Sequence, residues 1–260
     1  MTLTTSQEIS ANASKFSKSY VACYKADCEG RPYHAGTLTG IDLGHQVVLV
    51  TAKHVLDKDE TNPCDQKYQI YAAVNGNLEQ LNRLRTGILP LPNGEHLDIS
   101  VFIPETLEPR NIVDEPIPLD LIIDLPLRDK HYLAACGFPH RKNERKGNRI
   151  SNKPYGYFGE YANSVVTEAA GYDPLFHFSI KINLKKVYRG DLKEVIAPNP
   201  QGISGGPVLL VHDFKSTSQI EPKLAGIVIA RDKRSSALVC VRADIVKEIA
   251  LNIFPVTPIK

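Results

Sequence analysis

The sequence predicts an all-β protein in two β-rich halves, finished by a single C-terminal helix. Three observations lead there. Short strand-like runs recur from residue 19 to residue 241, separated by loops rich in Gly, Pro, Asn and Asp, at the spacing of sandwiches and barrels. A helical period appears in RADIVKEIALNIF (242–254), near the end of the chain. Between the halves lies PETLEPRNIVDEP (104–116), rich in Pro and acid and without periodicity.

Taken in order, residues 1–16 are polar and Ser/Thr-rich, and read as a flexible N-terminal arm or a short edge helix. The first half, residues 17–110, carries the strand-like runs SYVACYK, YHAGTLTGI, QVVLVTA, KYQIYAAV and LDISVFI. The second half, residues 111–260, carries HYLAACGF, FHFSIKI, GPVLLV, LAGIVIA and ALVCV. In the final helix, about residues 242–253, Ile245, Ile249 and Ile253 fall at i, i+4 and i+8 and mark one apolar face.

Bulk composition excludes several classes of function. With 260 residues, 42% hydrophobic and 23% charged, the chain is an ordinary globular protein, and a net charge of +2 gives no global attraction to nucleic acid or membranes. No apolar run reaches the length of a membrane span, and MTLTTSQEISANASKFSKSY lacks the apolar core of a secretory signal, so a cytoplasmic location is expected. Five scattered cysteines (Cys23, Cys28, Cys64, Cys136 and Cys240) suit reduced thiols, and no second Cys or His pair stands near Cys23 and Cys28 to make a metal site. The basic segment HRKNERKGNRISNK (140–153) reads as a solvated loop or a docking loop; without interleaved aromatics it does not suggest nucleic acid. DKDETNPCD (57–65) lacks the glycine and terminal glutamate of a calcium loop. No cofactor is expected.

Three places carry residues suited to chemistry. VVLVTAKHVL (47–56) is an apolar strand that presents His54 on what reads as one helical turn. In HLDISVFI (96–103) Asp98 opens an otherwise buried strand, and NPQGISGGPVLL (199–210) crowds three glycines around Ser204. A serine hydroxyl is a poor nucleophile until an imidazole takes its proton, and that imidazole needs a carboxylate to set its tautomer and stabilise its cation. Each residue alone has a plainer reading: a polar strand end, a turn residue, a tight turn into a strand. His45 lies in a hairpin turn, IDLGHQ, and His96 is a cleft neighbour rather than the base.

The set in this order resembles the chymotrypsin/trypsin-like serine proteases. Thr51-Ala52-Lys53-His54 is similar to the family's TAxH, Asp98-Ile99-Ser100-Val101 to its DIAV strand, and Gly202-Ile203-Ser204-Gly205-Gly206-Pro207 to GxSGGP. LAGIVIA (224–230) resembles the strand that lines the substrate cleft, and the likeness runs over residues ~19–253. It implies two six-stranded antiparallel barrels, the first bearing His54 and Asp98 and the second Ser204. It further implies that Gly202 and Ser204 offer their N–H groups as an oxyanion hole.

Departures refine the resemblance. Secreted relatives have an acidic residue before the nucleophile that pairs with a newly cut N-terminus; here Ile203 stands there, and no activation-cleavage sequence is visible near the N-terminus. Val55 replaces their cysteine beside the histidine. Both changes point to the intracellular and bacterial branch, such as the high-temperature-requirement proteases, without their peptide-binding domain. By resemblance the primary specificity pocket has Pro198 at its floor, flanked by Ala197 and Asn199, and Ile229, Ala230 and Arg231 along its wall. With no charge at that floor, the strong preference of trypsin for Lys or Arg is not expected unless Asp191 or Glu194 folds inward. The reading is a cofactor-free serine endopeptidase acting on protein or peptide substrates. Its alternative is a partner-gated or inactive protease-fold scaffold, in which a regulatory protein partner would order a collapsed oxyanion loop.

Overall fold

The structure, a computed structural model, describes residues 5–27, 29–57, 69–82, 84–87, 96–105, 107–123, 127–140, 145–146, 149–150, 152–189, 194–196, 198–214 and 220–255. Two antiparallel sheets dominate it. The first is built from β1 (Tyr20–Ala26), β2 (Pro32–Asp42), β3 (Val47–Thr51), β4 (Ile70–Val74), β5 (Asn77–Leu81), β6 (Leu84–Gly87), β7 (Ser100–Pro104) and β8 (Ile117–Pro118). The second uses β9 (His131–Gly137), β12 (Tyr155–Ala162), β13 (His177–Arg189), β14 (Glu194–Val195), β15 (Pro207–Asp213), β16 (Lys223–Asp232) and β17 (Ala237–Arg242). A small ribbon of β10 (Arg145–Lys146) and β11 (Arg149–Ile150) stands apart.

The second sheet closes on itself. Its order β12-β9-β15-β16-β17-β13 returns to β12 through a β12–β13 ladder, giving a six-stranded barrel with β14 as an extra edge strand. The first sheet runs β5-β4-β1-β2-β3-β7-β6, with β8 pairing in parallel to β2. Among the described residues no ladder joins β5 to β6, so this sheet is a half-barrel. Its two end strands are consecutive in the chain, separated by residues 82–83. Of the two expected barrels, the second is a closed barrel and the first is a half-barrel sheet. β8 lies beyond residue 110, so the first sheet draws a strand from past the boundary read in the sequence.

Period-2 alternation sends the side chains of each central strand to two covered faces, so these strands read as continuous apolar runs. On β15, Val208 and Leu210 enter the barrel core with Leu133, Tyr157, Ile180 and Val228. Leu209 and Val211 face the other way, into a core shared with the first sheet and with the N- and C-terminal helices. Cys23, Cys136 and Cys240 are buried free thiols, and burial pushes those of Cys23 and Cys136 up to about 12. Cys28 and Cys64 lie outside the described residues, as does most of the acidic segment 57–65 and half of the basic one.

Of the two readings of residues 1–16, a flexible arm or a short edge helix, the chain takes the helical one from Thr5: α1 (Thr5–Ser14) buries Ile9 and Ala13, with Phe16 just beyond, and Asn12 Nδ2 donates to the Val211 carbonyl at 3.1 Å. α2 (Lys53–Leu56) is the one-turn helix expected to carry His54, and the short α3 (Ser164–Ala169) follows β12. The C-terminal helix, α4 (Ala243–Ile253), lies where expected, but its buried face is Ala243, Val246, Ile249 and Ala250, with Ile245 and Ile253 half-buried beside it. The i, i+3, i+7 row wins because α4 packs against β16, β17 and the edge of the first sheet at once. Among the described residues no helix is long and apolar enough to cross a membrane.

Candidate active site

His54 reaches the site because β3 ends at Thr51 and the chain turns at once into α2. Val55 is fully buried and anchors that turn, and Lys25 Nζ donates to the Asp57 carbonyl at 2.7 Å, holding its C-terminal end. Asp98 precedes β7 in a tight turn closed by the Ile99 N–H on the Leu97 carbonyl at 2.7 Å, with Leu97 and Ile99 buried on either side. The apolar neighbours point in, so the carboxylate points out, toward α2. Its Oδ1 accepts the backbone N–H of His54 at 2.9 Å, and its Oδ2 lies 2.7 Å from His54 Nδ1. One carboxylate thus fixes both the position and the orientation of one imidazole, with the two side chains 50% and 32% exposed.

Ser204 belongs to the loop that enters β15, and the first sheet holds that loop. The Thr37 N–H donates to the Ser204 carbonyl at 2.8 Å, and Thr39 Oγ1 donates to the Gly205 carbonyl at 2.8 Å. At Gly36 a Cβ would fall within 3 Å of both the Val55 methyls and the Ser204 carbonyl, so the absent side chain brings the His54 turn and the Ser204 loop together. Gly202 and Gly205 have φ of +96° and +88°, the left-handed region that disfavours other residues. A Cβ on Gly205 would lie 2.0 Å from the Thr37 carbonyl, and one on Gly202 would meet the His34 ring and the His140 N–H near 3 Å.

The loop leaves two donors open. Among the described residues the N–H groups of Gly202 and Ser204 donate to no protein acceptor, while their neighbours Ile203, Gly205 and Gly206 all do. The Gln201 carbonyl accepts the His140 N–H at 2.7 Å. In a planar trans peptide the C=O and the following N–H point opposite ways, so this bond turns the Gly202 N–H away from His140. The Ser204 hydroxyl is half-buried and donates to the Ile229 carbonyl at 3.5 Å; that is its one hydrogen bond among the described residues, and none runs to His54.

Of the residues expected to form a pocket, Ile229 touches this hydroxyl, while Pro198 and Arg231 are tied to Tyr157 and Asn199. Pro198 is buried and its carbonyl accepts the Tyr157 hydroxyl at 3.1 Å. Ile229 is buried next to Ser204, Ala230 and Arg231 are half-buried beyond it, and Arg231 Nη1 donates to Asn199 Oδ1 at 3.0 Å. Asp191, Ala197 and the Glu194 side chain lie outside the described residues. His96 is exposed, and His45 sits in the β2–β3 turn with its ring nitrogens on the Leu43 and Phe254 carbonyls.

Sequence reasoning passed over other contributors. Thr37 knits the two sheets at Ser204, Tyr157 underlies Pro198, and Tyr172 and His177 of the second half feel the Asp98 charge. Burial raises the Tyr172 phenol, with the Asp98 charge adding to it; burial lowers the His177 imidazole against the opposing pull of Asp173 and Asp98. His34 is 5% exposed, its ring 5.3 Å from that of Tyr24 and 5.9 Å from that of His140, and among the described residues neither ring nitrogen has a hydrogen-bond partner. Burial, then the neighbouring His140, lowers it to about 3. An unfolded histidine takes its proton near 6.5, so between these values the unfolded chain binds more protons and stability falls as pH drops. His34→Phe should abolish that loss: between pH 7.5 and 5.0 the wild type should lose about 2 kcal/mol more than the variant, read from urea midpoints. Equal losses in the two proteins would mean that His34 is not held neutral.

No family model matches the chain, and no curated protein matches it in sequence. Solved structures do match. A serine endoprotease from Yersinia pestis aligns over 97% of this chain and 68% of its own, with a TM-score of 0.55 and 15% identity. A thermostable serine protease, AL20, from an extremophilic microorganism covers 92% of this chain and 99% of its own, with a TM-score of 0.54 and 13% identity. The active form of the Rv3671c protease from M. tuberculosis covers 100% and 91%, with a TM-score of 0.51 and 13% identity. At these identities the likeness is one of fold, and with the closed barrel, the half-barrel sheet and the terminal helix it shows that this chain has the chymotrypsin-like fold of the serine proteases.

Proposed function

We propose that the chain is a serine endopeptidase in which His54, Asp98 and Ser204 act as base, orienting carboxylate and nucleophile, and the N–H groups of Gly202 and Ser204 stabilise the oxyanion. The observation that carries this reading is the two-point hold of Asp98 on His54 beside a serine flanked by two unoccupied N–H donors. With Nδ1–H committed to the carboxylate, Nε2 is the nitrogen left to accept a proton. Ser204 attacks the peptide carbonyl, its proton passes to Nε2, and the tetrahedral oxyanion takes the two open donors. The imidazolium then returns the proton to the leaving amine, and water repeats the sequence on the acyl-enzyme.

One observation favours the partner-gated alternative: Ser204 Oγ rests on the Ile229 carbonyl rather than on the imidazole. Rotation about one side-chain bond is a small step, and hydroxyl–imidazole hydrogen bonds are commonly long before substrate arrives. A collapsed loop would fill its N–H groups with its own carbonyls, whereas those of Gly202 and Ser204 are open and the Gln201 carbonyl is bound to His140.

Labelling with a fluorophosphonate probe separates the two readings. The full-length chain should react stoichiometrically, at Ser204, with no proteolytic trimming, because Ile203 has no charge with which to bind a new α-amino group and α1 is already packed into the core. Reaction that begins only after trimming would refute the untrimmed site, and reaction only on adding a protein partner would favour the gated one.

A further inference from the structure

Arg231 carries a charge that the hydrolytic steps do not use. It stands on β16 two residues after Ile229, the residue whose carbonyl holds Ser204 Oγ. Its Nη1 reaches across to Asn199 Oδ1 at 3.0 Å, and Asn199 lies five residues before Ser204 on the loop. The guanidinium therefore bridges the two chain segments that approach the nucleophile. Beneath it the Tyr157 hydroxyl closes the floor on the Pro198 carbonyl. Burial raises the Tyr157 phenol, and the positive charge of Arg231 draws it partly back.

Two features of this arginine point to a ligand. Among the described residues its Nε is buried and has no hydrogen-bond partner. Buried donors are rarely left so, and a donor on a cation calls for an anionic acceptor. Among the described residues, moreover, no carboxylate pairs with Arg231, and its one hydrogen bond is to the neutral amide of Asn199. With Nη1 held by an amide, the planar guanidinium keeps its Nε–Nη2 edge for a two-point bond to a carboxylate.

We propose that Arg231 makes this pocket select an acidic residue, Asp or Glu, immediately before the scissile bond. The inference rests on the serine-peptidase reading. The substrate carboxylate takes the Nε–Nη2 edge, which the Asn199 contact on Nη1 leaves free, and satisfies the open Nε. A lysine or arginine in the same place would set two cations together, and a leucine would leave the buried donor unsatisfied.

The test uses peptidyl diphenyl phosphonates that differ only in the residue bearing phosphorus: the Glu, Gln, Leu and Lys analogues. Gln matches Glu in shape without its charge, so the Glu:Gln ratio of inactivation rates within one protein isolates the charge and cancels any change in the nucleophile. The full-length chain should react with the Glu probe about 10- to 100-fold faster than with the Gln probe, the range of a charge-assisted hydrogen bond. Arg231→Leu should bring the ratio to about 1 or below, while Arg231→Lys, which keeps a point charge but not the fork, should retain a reduced preference. A wild type that reacts with the fluorophosphonate but shows no Glu preference overturns the inference and leaves the peptidase reading standing. Fastest reaction with the Lys probe overturns it too, and would place the Asp191 or Glu194 carboxylate in the pocket. A Glu preference that survives in Arg231→Leu shows that another group reads the carboxylate. Failure of the wild type to react with any probe, the fluorophosphonate included, removes the peptidase reading itself.

Discussion

Ser204→Ala is expected to lower kcat on peptide substrates by on the order of 10⁶-fold while leaving the fold intact. The two effects separate because different atoms of Ser204 carry them. Its carbonyl accepts the Thr37 N–H at 2.8 Å, a bond between the two sheets that alanine keeps in full. Its hydroxyl makes one hydrogen bond, at 3.5 Å to the Ile229 carbonyl, too long to contribute more than a few tenths of a kcal/mol. The Ile229 carbonyl is not orphaned in any costly sense, since a carbonyl beside a cleft can be solvated. Steady-state hydrolysis of a fluorogenic peptide measures the first effect and a thermal melt the second. A midpoint within about 2 °C of the wild type, with turnover abolished, is the expected pair of results. Turnover within tenfold of the wild type would mean that another nucleophile does the work.

How far the sequence discloses such a site depends on the reach of the interactions. His54 and Ser204 are readable because each is framed by local demands on the backbone. An apolar strand ends in a one-turn helix at His54, and glycines hold left-handed backbone on either side of Ser204. Asp98 is readable from the apolar residues that bracket it. α1 is not readable in the same way: TSQEISANAS is polar, and its place is set by Ile9, Ala13 and an Asn12 bond to a carbonyl 199 residues away. β12 also escapes, because YGYFGEYA breaks the apolar alternation with two glycines, yet it is the strand whose ladders to β9 and β13 close the barrel. The surroundings of the site are the least legible part. Tyr157 meets Pro198 only because the second sheet closes on itself, and His34 meets Gly202 only because the two sheets fold against each other; no spacing in the chain encodes those encounters.

Asp98→Asn is the more discriminating change, with an expected fall of about 10⁴-fold in kcat and little effect on KM. The reason lies in the two hydrogen bonds that Asp98 makes. One of its oxygens accepts the backbone N–H of His54, a donor that cannot be reversed. In the variant the amide oxygen must keep that place, because an NH₂ there would set donor against donor. The NH₂ is then forced onto Nδ1, where the second carboxylate oxygen lies 2.7 Å away in the native protein. Facing a donor, Nδ1 must become an acceptor, and the imidazole proton moves to Nε2, the nitrogen that should receive the Ser204 proton. The ring stays in place and its tautomer is wrong. Nitrogen NMR of the His54 ring should show the proton on Nδ1 in the wild type and on Nε2 in the variant. An alanine at the same position removes both hydrogen bonds and lets the ring swing, so it should raise KM-independent loss and mobility together. Full activity in Asp98→Asn would show that His54 is not the base, whatever its geometry.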